Sequence, residues 1–154
     1  MYMDIKSVLD LDTTISQNRV VFKLTYNGSP ITELRMLKTN DLMKTILESF
    51  YKDEIERVCF VFVVDSLEVP SNMKLIKGFA TTFHPHAEII GKKLDFTIIQ
   101  SKNAIFKVML SILKMYYQPI KPLYLCESDE STEKCLVSNF ERNQITNFSD
   151  MVKK

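Results

Sequence analysis

Few residues of this 154-residue chain stand at spacings that suit covalent or metal chemistry. Ser71 follows Pro70 and opens a stretch with helical spacing, 71–83. A phosphate on that serine would meet free backbone N–H groups and the positive end of a helix. The same serine can be a plain N-cap, which contributes about 1 kcal/mol. His84-Pro85-His86 holds both histidines, and only Glu88 lies near them as a further ligand. Zinc takes three or four protein ligands, so the triplet reads as a surface loop before it reads as a metal site. Asp65 ends an apolar run, where it is either a functional carboxylate or the cap of its own turn. Cys59, Cys126 and Cys135 are an odd set within or beside apolar segments. They read as buried thiols of a reducing compartment, although the 126–135 spacing also allows a bridge. No glycine-rich phosphate loop, paired catalytic carboxylates or metal-ligand cluster is spelled out. The expectation is therefore a non-enzyme with no catalytic residue, metal or cofactor.

The elements that must position these residues follow from hydropathy spacing. Seven consecutive apolar residues, 58–64, β-branched or aromatic but for Cys59, predict a strand buried on both faces. Residues 19–26 alternate and end at Asn27-Gly28, a strand followed by a turn. Residues 5–11 carry a weaker pattern, that of an edge strand or an arm, and 31–38 is ambiguous. Thr39 or Asn40 then caps a helix with Leu42, Met43, Ile46, Leu47, Phe50 and Tyr51 on one side. The helix over 71–83 is ended by Pro85, and Gly91 closes the connection to a strand over 94–100. Asn103 caps a helix to about Tyr117, residues 122–126 form the last strand, and Asp129 or Ser131 starts a final helix through Phe140. The order β-β-α-β-α-β-α-β-α predicts an α/β fold. A four- to five-stranded mixed sheet is flanked by about four helices, with right-handed crossovers. A single domain over 1–143 is expected, with 144–154 as a frayed tail.

Composition sets the class. A chain of this length buries roughly 70% of the surface its unfolded form exposes. The hydrophobic fraction of 45% and charged fraction of 25% are those of an ordinary globule. The N-terminus is acidic where a secretory signal is basic, and no apolar run reaches the ~20 residues of a membrane span, so a cytoplasmic location is expected. The net charge of +1 conceals a segregation, with eight lysines and two acidic residues over 71–122. Acidic balance marks 41–56 and 127–133. Four arginines and no aromatic ladder speak against nucleic acid. The helix over 103–117 is apolar nearly all round. Phe106, Leu110, Leu113 and Tyr117 fill a second face, either as an oligomer or partner surface or as one covered by the C-terminal segment.

Three stretches, RVCFVFVVDSLEVPS, IGKKLDFTIIQSKNAIFKVMLSIL and PLYLCESDESTEKCLV, carry a resemblance to the STAS domain, the family of bacterial anti-sigma-factor antagonists and sulfate-transporter tails. They look like its central strand and following loop, its next strand with the polar joint before a helix, and its closing strand with an acidic-serine turn. The family's Asp-Ser-Ser-Gly motif, phosphorylated by a partner kinase, aligns with Pro70-Ser71-Asn72-Met73. The serine is kept, and the aspartate before it and the glycine after it are not. The resemblance implies a regulatory or scaffolding domain that binds a protein partner through the loop 66–72 and the following helix. Ser66, Ser71, Asn72, Met73 and Lys74 would be the contact residues, and phosphorylation of Ser71 would modulate docking. FVFVVDSLEVPS also resembles the CRAL-TRIO domain, which implies as the alternative a small lipid- or metabolite-binding module.

Overall fold

The computed structural model describes residues 6–16, 19–65, 73–102 and 121–142. Its centre is a mixed sheet of five strands, β1 (Leu9–Ser16), β2 (Arg19–Tyr26), β3 (Arg57–Val63), β4 (Leu94–Gln100) and β5 (Leu123–Cys126), lying side by side in chain order. β1 runs antiparallel to β2, and the other neighbours are parallel. Helices α1 (Glu33–Ser49), α2 (Met73–Thr81), α3 (Ala87–Lys93) and α4 (Asp129–Arg142) complete the described elements.

Each face of the sheet buries its own core, because alternate residues of a strand point to opposite sides. On one face Phe22 and Phe60 meet Met43 and Leu47 of α1 and its C-cap Phe50, together with Phe83 and Ile90. Phe50 stacks on Phe60 at 5.7 Å, and Phe83 meets Phe60 edge-on at 6.4 Å. On the other face Val61, Phe96, Ile98 and Tyr124 pack with Cys135 of α4. The apolar run of β3 therefore has a core on both sides, as its unbroken hydrophobicity requires. The connections β2–α1–β3 and β3–α2–α3–β4 each step one strand in the same direction over the same face, so they share one hand.

Several boundaries differ from the sequence expectation. β1 covers Leu9–Ser16, not 5–11, since Ser7 and Val8 are bound to α1: Val8 N donates to Thr39 Oγ1 at 3.0 Å. Thr39 consequently does not cap α1. It lies within the helix, donates to Arg35 O at 2.8 Å and links the helix to the chain ahead of β1. The cap is Thr32, whose hydroxyl accepts from Arg35 N, and the ambiguous 31–38 stretch supplies the first helical turns. Tyr51 lies beyond the C-cap, Phe50, and is exposed. Pro85 does not stop the chain from being helical. It occupies the first turn of a 3-10 helix (His84–His86), where its missing N–H costs nothing, and α3 follows at once with Gly91 inside it. The Asn27-Gly28 turn stands as expected: Gly28 has φ +83°, and Asn27 Oδ1 accepts from Ser29 N. The helix expected over 103–117 lies outside the described residues.

Candidate functional site at the carboxyl edge

In parallel sheets, binding sites collect where strands end and the next helices begin. β3 ends next to Asp65 and β4 ends at Gln100, whose backbone oxygen accepts from Val64 N at 2.9 Å. Gln100 is 2% exposed. Its amide Nε2 donates to Asp129 Oδ1 at 2.8 Å and to Asp65 Oδ2 at 3.2 Å. Its Oε1 accepts from Thr132 Oγ1 at 2.8 Å. A single neutral amide thus holds two carboxylates and joins the end of the central strand to the first turn of α4. Asp65 Oδ1 is buried and has no hydrogen-bond partner among the described residues. A buried acceptor left open costs about 1–3 kcal/mol, so this atom favours any donor that approaches it.

The start of α4 is locked locally. Ser128 N and Glu127 N both donate to Ser131 Oγ, while Ser131 N donates to Ser128 Oγ. This is a reciprocal cap in which two serines satisfy the free donors of a helix start. Asp129 and Glu130 occupy the first turn and suit the helix dipole. α2 begins at the same edge with the opposite character: no acidic residue stands in its first turn, and Lys74 and Lys77 are exposed.

Of the residues expected to form the docking edge, Lys74 is on the exposed side of α2, and Met73 is its first residue. Ser66, Ser71 and Asn72 lie outside the described residues, as do Phe106, Leu110, Leu113 and Tyr117 of the expected oligomer face. Gln100 and Thr132 escaped the sequence reading. Their signal was faint: a glutamine ending an otherwise buried strand must find polar partners.

Cys126 ends β5 at this edge, opposite Gln100, and the other expected chemistry-bearing residues are elsewhere. His86 Nδ1 lies 3.0 Å from Tyr51 Oη, with the two rings edge-on. Among the described residues no three His, Cys, Asp or Glu side chains gather as metal ligands would. All three cysteines are free thiols and buried. Burial, with Asp95 adding to it, pushes the Cys59 thiol up to about 12, so it stays protonated and unreactive.

A second charged cluster occupies the amino edge. Asp95 sits where the β3–β4 register shifts, and the bulge aims it toward Arg19 and Arg57, the first residues of their strands. Its carboxylate lies 3.8 Å from Arg19 Nε and 3.6 Å from Arg57 Nε. Arg19 is 8% exposed. Burial lowers its pKa, and Asp95 works against that shift.

Among the described residues no helix is long and apolar enough to cross a membrane. No family model matches this chain, and no curated protein or solved structure matches it either.

Proposed function

We propose that this chain is a non-enzymatic regulatory or scaffolding domain of STAS-like type. It binds a protein partner at the carboxyl edge of its sheet, through the loop 66–72 and the exposed side of α2. The observation that carries this reading is the contrast between the two helix starts at that edge. α2 opens with Lys74 and no carboxylate, whereas α4 opens with Asp129 and Glu130. A helix start lacking negative charge favours an incoming anion, either an acidic side chain of a partner or a phosphate on Ser71. A phosphate on the chain itself would take the place of the partner's acid, which makes Ser71 a switch. The lipid-binding alternative comes from the CRAL-TRIO resemblance of FVFVVDSLEVPS and would need an apolar site. The described phenylalanines pack on one another, with Phe79 and Phe83 at 5.5 Å, and give it no specific support.

Affinity capture of the tagged chain from its native cell, with bound species identified by mass spectrometry, tests the reading. A stoichiometric protein is expected on the native chain, at least tenfold reduced on Ser71→Asp and on Lys74→Glu. Equal recovery on all three baits would remove the proposed edge. A co-purifying lipid with no protein would favour the alternative.

A further inference from the structure

Among the described residues no strand pairs with the outer side of β1. Residues 10–15 are all exposed, with Leu11 at 39% and Ile15 at 75%. An unprotected strand of this length invites another strand, and proteins normally blunt such edges with lysine, proline or bulges. β1 contains no lysine, proline or bulge, and its charges, Asp10 and Asp12, are both on the face opposite Leu11, Thr13 and Ile15.

The hydrogen-bond phase of β1 defines which groups are available. Asn27 N donates to Val8 O, directly across the ladder. From there, even-numbered residues of β1 turn their backbone groups toward β2, and Leu11, Thr13 and Ile15 turn theirs outward. Leu9 N is already taken by Ser7 Oγ at 3.0 Å. The same three residues share a side-chain face, since they pair with Leu24, Phe22 and Val20 of the core. The opposite face carries Asp10, Asp12 and Thr14, and Asp12 stands across from Lys23.

We propose that β1 is a self-association edge. Two copies of the chain join β1 to β1 antiparallel about a two-fold axis at Thr13, so that two five-stranded sheets become one. The register follows from the sequence of the strand. Outward-facing residues must pair with outward-facing residues, which permits odd-with-odd alignments only. With Thr13 opposite its own copy, Leu11 faces Ile15 of the second copy twice over. Asp12 then faces Thr14, so that carboxylate meets a hydroxyl and no like charge. Moving the axis to Asp12 sets Asp12 against itself, and like charges directly opposite are unfavourable. Moving it to Thr14 leaves Leu11 unpaired. Only the Thr13 axis satisfies apolar contact, charge and backbone phase together, and an unrelated strand would have no reason to match all three.

Sedimentation equilibrium of the full chain across a concentration series tests this. The native chain is expected to reach twice the monomer mass. Leu11→Lys and Ile15→Glu should each weaken the dimer by about tenfold or more, since each change removes two symmetry-related pairs. The double variant should recover the dimer, because the new lysine of one copy faces the new glutamate of the other only in this register. These positions are exposed, and circular dichroism checks that each variant keeps its fold. Thr13→Cys should cross-link across the axis with a short bis-maleimide, which adds to both thiols, the native cysteines being buried. A native chain that stays monomeric overturns the proposal. So does a dimer indifferent to Leu11→Lys, or a double variant no better than the singles.

Discussion

The two ends of the sheet hold clustered charge in opposite ways. At the amino edge Asp95 is shared by two guanidiniums, and the cluster is held by charge against charge. At the carboxyl edge two carboxylates lean on the neutral amide of Gln100, and Asp65 keeps an oxygen with no described partner. Ion pairing of a desolvated arginine is structural: breaking it leaves a charge in a poor environment. A carboxylate held by one amide is positioned without being neutralised, and it keeps capacity to accept from something else. The amino edge therefore reads as a clasp, and the carboxyl edge as the end poised for contact.

The largest effect should come from breaking the clasp. Asp95→Ala removes the carboxylate beside buried Arg19 and is expected to cost about 3–5 kcal/mol, measured by urea unfolding. If the change costs no more than a surface substitution, the amino edge is not structural and the contrast fails. Gln100→Leu at the opposite end should cost less, about 1–3 kcal/mol. Thr132 and both carboxylates lose a partner, but Asp129 is exposed and water can reach it. Partner capture should suffer more than stability in that variant, and the reverse ranking would assign Gln100 to the core alone.

The smallest effect sharpens the comparison through pH. Cys59 lies near the clasp, with a thiol lifted by burial from 9.0 to about 12. Below pH 9 it is neutral in both folded and unfolded chains, and its contribution is complete. Above pH 9 the unfolded chain releases a proton that the folded chain keeps, so stability falls as pH rises. The slope is at most about 1.4 kcal/mol per pH unit. Cys59→Val should lose stability less steeply than the native chain between pH 9 and 11, by thermal unfolding in paired buffers. Parallel curves would mean that the thiol is not desolvated as described.

Much of the framework was readable along the chain. β2, β3 and β4 coincide with runs whose alternation or unbroken apolar character suits a half-buried or fully buried strand. α4 begins at Asp129, where an acidic and serine-rich turn satisfies a helix start. The misses have physical causes. Thr39 resembles a cap because a threonine hydroxyl can bond locally, but here it bonds back to Arg35 O within the helix and outward to Val8 N. Thr32, after Pro30 and before Glu33, was the readable signal of the true start. Pro85 ends helices only when an N–H is needed, and in a first turn none is. The candidate site was half legible. Asp65 stood out at the end of its strand, while Gln100 and Thr132 lie 35 and 32 residues from the groups they bind.

What the amino-acid sequence determined by itself is the kind of each element and its order. Helical and strand periods are written within a dozen residues, and the need to bury apolar faces converts them into layers. Tertiary structure alone decided which charges meet. The bulge before Phe96 aims Asp95 at two arginines, and the approach of α4 to β4 carries Asp129 to Gln100. It also decided that, among the described residues, β1 pairs on one side only. These are outcomes of long-range pairing, where the energy lies in contacts between distant segments and no local pattern records them.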